Sequence, residues 1–218
     1  MITKKIRVYG IVQGVGFRPT VSRHASAAGI TGNVCNKGPY VEIFAQGEEK
    51  CVKDFLERLE KRPPKRAAIL KISVEDLEEC GQFDDFQIIE SEKTKGEIFV
   101  SPDIAICEEC KKEMYDPKDR RYLHPFINCT CCGPRLTILD ALPYDRERTS
   151  MKEFPMCPEC AEEYNNPESR RFDAQPVCCN DCGPEVYLIG RDERGREAIT
   201  YTRKVIASGG IATIKGIG

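Results

Sequence analysis

The chain has 218 residues, 40% hydrophobic and 31% charged, and its 33 Lys and Arg against 35 Asp and Glu leave a formal net charge of −2. That length accommodates one or two compact domains with small metal-bound modules, and the balanced charge excludes bulk attraction to nucleic acid or to an anionic membrane. No apolar run approaches the roughly 18 residues that span a bilayer, and no signal-type apolar segment follows Met1.

Residues 1–91 read as a small α+β domain. Alternation over 4–10 predicts a strand, 13–19 is a Gly-rich loop, and 19–28 suits a helix with Pro19 in its first turn and Gly29 as its stop. Residues 32–35 and 41–46 predict two strands joined through Asn36-Lys37-Gly38-Pro39. Val52, Phe55, Leu56 and Leu59 repeat at the spacing of a helix with one buried face over 48–60, and Arg62-Pro63-Pro64 ends it. Strands over 67–74 and 83–89, the second a short edge, complete a βαββαβ order, the split βαβ arrangement of a ferredoxin-like sandwich. The charged stretch 90–97 predicts a linker, placed at 92–102 in the domain division.

Beyond it, eight of the 13 cysteines fall in a C-x2-C-x18-C-x2-C array that occurs twice: Cys107, Cys110, Cys129 and Cys132, then Cys157, Cys160, Cys179 and Cys182. A CxxC turn presents two thiolates to one metal, and two such pairs about 20 residues apart can close a tetrahedral four-thiolate zinc site. Two structural Zn2+ ions are therefore expected, in modules spanning 103–150 and 151–186. Such closed sites have no open position, and metal binding would supply the folding free energy of segments with few large apolar residues. An odd cysteine count, mostly in CxxC pairs, fits a reducing cytoplasm better than a disulfide framework.

The array is part of an internal duplication at an offset of 50 residues. Arg120-Arg121-Tyr122 aligns with Arg170-Arg171-Phe172, and Cys132-Gly133-Pro134 with Cys182-Gly183-Pro184. The duplication favours pairing within each unit; nested pairing, the first CxxC with the fourth, stays open. Cys131 and Cys178 flank ligand positions, but they align with Asp181 and Asn128 and break the repeat. His124 aligns with Ala174, which argues against a ligand role, and Cys51 and Cys80 lack a CxxC partner. The paired arginines sit among acidic neighbours and read as a solvated, salt-bridged face rather than a nucleic-acid surface. Residues 187–218 differ again: a helix over 198–208, Gly209-Gly210 and a strand over 211–214 read as the start of a further α/β domain cut short.

In the Gly-rich loop, Gly14 and Gly16 allow successive N–H groups to converge on one point before a helix N-terminus, a nest suited to phosphate oxygens. Arg18 adds a planar, permanently charged fork. Taken by itself, a short motif of this kind reads first as a Gly-rich turn with a surface arginine. His24 reads as packed or solvated, and Cys35 as a small buried hydrophobe.

The longer string Gln13-Gly-Val-Gly-Phe-Arg18, between strand 1 and helix 1, resembles the signature of acylphosphatases. Gly32-Asn-Val-Cys-Asn36-Lys-Gly resembles that family's strand with the catalytic asparagine. The resemblance implies that Gln13, Gly14, Val15, Gly16, Phe17 and Arg18 bind the phosphoryl group, with Arg18 holding it, and that Asn36 positions the attacking water. An acyl phosphate has a good leaving group, so orientation and charge stabilisation suffice without a nucleophilic side chain.

The order of an acylphosphatase-like domain, a duplicated four-cysteine array and the tail Gly209-Gly-Ile-Ala-Thr-Ile-Lys-Gly-Ile-Gly218 resembles the N-terminal part of the HypF family, the carbamoyltransferases of nickel–iron hydrogenase maturation. Pro125-Phe-Ile-Asn-Cys-Thr-Cys-Cys-Gly-Pro-Arg135 and Ala174-Gln-Pro176 strengthen the likeness. Where that family usually has His before Ala-Gln-Pro, this chain has Asp173, which puts a metal role for the position in doubt. The resemblance implies hydrolysis of carbamoyl phosphate in the first domain. It also implies adenylation of carbamate with ATP in a YrdC-like domain beginning in 187–218, where Lys215 contacts nucleotide, and transfer to the C-terminal cysteine of the maturation protein HypE. The rival readings are a free-standing acylphosphatase with structural zinc modules and a zinc-dependent nucleic-acid-binding module.

Overall fold

A computed structural model describes residues 1–78, 81–91 and 100–216. Alternation of Ile6 and Val8 with Lys5, Arg7 and Tyr9 drives β1 (Ile2–Ile11), in which Ile6 and Val8 are fully buried. It is followed by α1 (Phe17–Ala28), β2 (Thr31–Lys37), β3 (Tyr40–Gly47), α2 (Glu49–Lys61), β4 (Ala68–Leu77) and β5 (Phe86–Ile88). The sheet order is β4-β1-β3-β2-β5, antiparallel except for the short parallel pairing of β5 with β2. The expected βαββαβ sandwich is present, with β5 as its edge. Asn36 and Lys37, read from the sequence as turn residues, lie inside β2 opposite Val41 and Tyr40.

Both helices cover one face of the sheet and seal a core that includes Ile6, Val8, Val34, Ile43, Phe55 and Leu59. The spacing of Val52, Phe55 and Leu59 puts all three on the buried side of α2. The other face is polar, with Glu42 contacting Lys5, Arg7 and Lys37. A register shift between Tyr9 and Gly10 bends β1 as it approaches the Gly-rich loop. Gly10 has φ +129°, and a Cβ there would meet the Ala68 carbonyl oxygen at 2.0 Å, so only glycine fits the bend.

The cysteine region has little regular structure. Helix α3 (Glu108–Tyr115) and helix α4 (Pro158–Asn165) occupy equivalent places in the two repeats, each with the first cysteine of its CxxC at the N-cap. Short 3-10 turns at Leu136–Ile138, Arg146–Arg148 and Ser150–Glu153 join them. The last helix among the described residues is α5 (Gly195–Ala207), which begins slightly earlier than its sequence pattern indicates. The expected strand over 211–214 does not form: a strand needs a pairing partner, and Ile211 is 94% exposed. Most of the expected linker, 92–99, and Cys80 lie outside the described residues. Among the described residues, no helix is long and apolar enough to cross a membrane.

Candidate active site and metal centres

The bend of β1 delivers the chain into a loop with Gly14 at φ +69° and Gly16 at φ +74°, after which α1 starts at Phe17. Among the described residues, the N–H groups of Val15, Gly16, Phe17 and Arg18 find no backbone acceptor. They leave an anion-binding set at the positive end of a twelve-residue helix. Val15 and Phe17 anchor this loop from below, both buried in the core. Gln13 Nε2 donates to the Gly38 carbonyl at 2.8 Å and ties the loop to the β2–β3 turn. Asn36 projects from β2, 2% exposed, and among the described residues its Oδ1 is buried without a hydrogen-bond partner, as is Gln13 Oε1. Gln13, Gly14, Gly16, Phe17, Arg18 and Asn36 line one cavity.

Sequence reasoning missed the other wall. Thr130, Arg135, Tyr144, Asp173 and Gln175, all from the cysteine region, close the same cavity. Arg18 is 8% exposed, with Nη1 donating to Asp145 Oδ1 at 2.9 Å and to Ser91 Oγ at 3.2 Å, while Nε pairs with Asp173 Oδ2 at 3.0 Å. It is no surface arginine. Burial alone would lower the Arg18 pKa, but the carboxylates of Asp173 and Asp145 override this and hold it above its ordinary value. For Asp173, burial pushes the pKa up and Arg18 pulls against it, leaving it above the ordinary carboxylate value.

Asp173 occupies the left-handed region at φ +54°, and so does Leu123, its equivalent in the first repeat, at φ +53°. The repeat therefore demands this backbone at that turn, and aspartate accepts it at less cost than leucine. Its Oδ1 accepts from Tyr164 Oη at 3.3 Å and from Gln175 Nε2 at 2.9 Å. Asp173 thus has an ion-pairing role and stands apart from both cysteine sets. Arg135 is 2% exposed and spends its five N–H donors on the carbonyls of Gly14, Cys129, Thr130, Cys132 and Pro134. One side chain thereby links the phosphate-type loop to the first cysteine module.

The cysteines group within each unit, Cys107, Cys110, Cys129 and Cys132 in one set and Cys157, Cys160, Cys179 and Cys182 in the other. The sulfurs of each set lie within 4.8 Å of one another. Sulfur separations of 3.8 Å for Cys107–Cys129, 3.7 Å for Cys129–Cys132, 3.8 Å for Cys157–Cys179 and 3.9 Å for Cys179–Cys182 match a tetrahedron. With zinc–sulfur bonds of about 2.3 Å its edge is about 3.8 Å. Both donor sets fit structural zinc, and the geometry rules against nested pairing. Cys131 is exposed and Cys178 buried, and neither belongs to a set.

The paired arginines correct the sequence reading of a solvated face. Arg121 and Arg171 are 2% and 4% exposed, and each pair reaches across to the other module. Arg120 Nη2 donates to Cys157 Sγ at 3.1 Å and Cys160 Sγ at 3.0 Å, and Arg170 Nη2 donates to Cys110 Sγ at 3.1 Å. Arg121 forks onto Glu163 and bonds the Cys178 carbonyl, and Arg171 pairs with Glu113 and bonds the Asn128 carbonyl. Four thiolates around a divalent ion carry net negative charge, which draws guanidinium groups inward.

Cys178, His124 and Asn180 mimic a nucleophilic triad, with His124 Nε2 3.3 Å from Cys178 Sγ and Nδ1 3.2 Å from Asn180 Oδ1. The resemblance is geometric only. Cys178 and His124 are each 1% exposed; burial pushes the thiol up to about 12 and the imidazole down to about 4, so no thiolate–imidazolium pair forms. His24 is half-buried and bonds the Arg62 carbonyl, and Cys35 is buried, both as expected.

Comparison with known proteins agrees with this geometry. The acylphosphatase family model matches residues 4–88, and the HypF finger model matches residues 106–139 and 156–189. A probable carbamoyltransferase HypF of Methanocaldococcus jannaschii is 52% identical over 219 residues, covering 98% of this chain and 29% of that protein. An acylphosphatase of Thermotoga maritima is 44% identical over 85 residues, 38% of this chain and 92% of its own length. The crystal structure of full-length HypF in the phosphate- and nucleotide-bound form superposes with a TM-score of 0.90 at 44% identity, covering all of this chain and 29% of that one. The chain thus spans less than a third of the HypF proteins it matches. With an acylphosphatase domain joined to two HypF fingers, it belongs to the HypF family.

Proposed function

We propose that this chain is the N-terminal part of a HypF carbamoyltransferase and that its Arg18–Asn36 site hydrolyses carbamoyl phosphate. The observation that carries this reading is the convergence on one cavity of Arg18, the N–H groups opening α1 and Asn36 Oδ1, the last two without partners among the described residues. The N–H groups and the Arg18 guanidinium hold the phosphoryl oxygens, and Asn36 Oδ1 accepts a hydrogen bond from the attacking water. Water oxygen bonds to phosphorus as the bridging P–O bond breaks, releasing carbamate and phosphate. Orientation and charge stabilisation are the catalytic contributions.

The remaining steps lie with the whole protein: adenylation of carbamate with ATP in a YrdC-like domain, and transfer to the C-terminal cysteine of HypE. Residues 1–91 form the acylphosphatase domain, 92–102 the linker, 103–150 and 151–186 two modules each holding one structural Zn2+, and 187–218 the start of the nucleotide-binding domain, with Lys215 facing nucleotide. Reduced, metal-bound thiolates suit the cytoplasm. The burial of Arg121 and Arg171 counts against a nucleic-acid surface.

Phosphate release from carbamoyl phosphate tests the site. Wild-type protein is expected to release phosphate, and Arg18→Ala and Asn36→Ala to lose at least about a hundredfold in rate. Equal rates in all three proteins would remove the assignment.

A further inference from the structure

The strongest charged group facing Arg18 is unused by the mechanism above. Two carboxylates from outside the acylphosphatase domain stand on the guanidinium that is to hold a dianion: Asp145 on Nη1 and Asp173 on Nε. Among the described residues, Asp145 Oδ2 is buried without a hydrogen-bond partner, and Arg18 is the cation that answers its charge. Arg135 is the other cation among the described residues of the cavity wall, but its donors are all committed to carbonyls, so it contributes charge without a free hydrogen bond. Two guanidinium groups against two carboxylates make the cradle neutral, where an acylphosphatase site without them would be cationic.

The space left open in the cavity is about 20 Å³, room for one or two waters. A phosphoryl group seated there would press on the side chains that line the cavity, Asp173 among them. Asp173 is placed to yield, since it lines the cavity and stands on the Nε edge of Arg18, whereas Asp145 does not line it. We infer that Asp173 and Asp145 form a carboxylate clamp on Arg18, which competes with the phosphoryl group and keeps bound phosphate weakly held. This inference rests on the proposed phosphoryl site. Its value to a hydrolase is that tight binding of the phosphate product would tie up the site, whereas interactions offset in the ground state leave binding energy for the transition state. Asp173 and Asp145 are positioning residues: they touch Arg18 and act on the phosphoryl group through it.

The test is calorimetric binding of inorganic phosphate to zinc-loaded protein, comparing wild type, Asp173→Asn, Asp145→Asn and Arg18→Ala. Asparagine keeps the shape of Asp173 and tolerates its left-handed backbone, so the substitution removes charge with little strain. Removing one negative charge within several ångströms of a bound dianion is expected to tighten phosphate by at least about tenfold. Arg18→Ala is expected to abolish binding. Unchanged or weaker phosphate affinity in Asp173→Asn overturns the clamp, because a merely structural aspartate would show that outcome. If Asp173→Asn fails to retain two zinc ions, Asp145→Asn decides by the same criterion. Wild-type phosphate affinity that survives Arg18→Ala would instead overturn the phosphoryl site itself, which keeps the two failures apart.

Discussion

The acylphosphatase domain and the cysteine region solve the problem of burial by different means. The first joins sixteen buried apolar residues from two helices, three strands and the loops between them into one cluster. In the second, the two clusters around the metal-type sets contain five and four buried residues, and cysteines supply three and two of these. Where apolar area is short, thiolates and guanidinium groups take its place. One region has the apolar area to fold by itself, whereas the other offers two four-cysteine sets at which bound metal would supply the missing folding free energy.

Chelation is the largest way to test that contrast. Each structural zinc site is worth about 10 kcal/mol or more of folding free energy, so stripping the metal is expected to unfold residues of the cysteine region while the sheet persists. Hydrogen exchange on the intact chain would read this, with amides of β1 and β3 staying protected and those of α3 and α4 losing protection. Loss of protection in β1 and β3 to the same extent would show that the two regions fold as one unit.

The converse perturbation is smaller. Phe55→Ala removes a fully buried side chain from the apolar cluster and is expected to cost about 3–5 kcal/mol. Thermal or urea unfolding followed by sheet circular dichroism would measure it, with zinc content unchanged. A fall in bound zinc after this substitution would mean that the sheet supports the metal sites.

The sheet and its Gly-rich loop were legible because their signals are local. Gln13 to Arg18 is one contiguous string, and the alternation of Ile6 and Val8 or the helical spacing of Val52, Phe55 and Leu59 needs no distant partner to be read. The cysteine pairing was legible for a related reason, since the duplication supplied the comparison internally. What could not be read were contacts across long separations. Asp145 and Arg18 are 127 residues apart in sequence, and Arg120 meets Cys160 across 40. Acidic residues close to the arginine pairs in sequence suggested exposed ion pairs, while the groups that engage them lie in the other repeat. The segment 211–214 failed for the opposite reason: its apolar pattern is local, but a strand exists only with a partner to pair with.

The crossed arginines make the finest test of the contrast, because an apolar core has no counterpart to them. Arg120 donates to sulfurs of the second set, and Arg170 to sulfurs of the first. Hydrogen bonds to ligating sulfurs stabilise their negative charge, and loss of such outer contacts typically costs about tenfold or more in metal affinity. Arg120→Ala is therefore expected to speed zinc release from Cys157, Cys160, Cys179 and Cys182, although the substitution lies within the first module. Arg170→Ala is expected to act on Cys107, Cys110, Cys129 and Cys132. Zinc release timed with a chromogenic chelator, combined with mass-spectrometric labelling of the freed thiols, assigns each loss to its set. Labelling that stays within the mutated module would show that each site is stabilised by its own repeat. Labelling that crosses would show that neither module is complete without the other, which gives the duplication a physical reason to be retained as a pair.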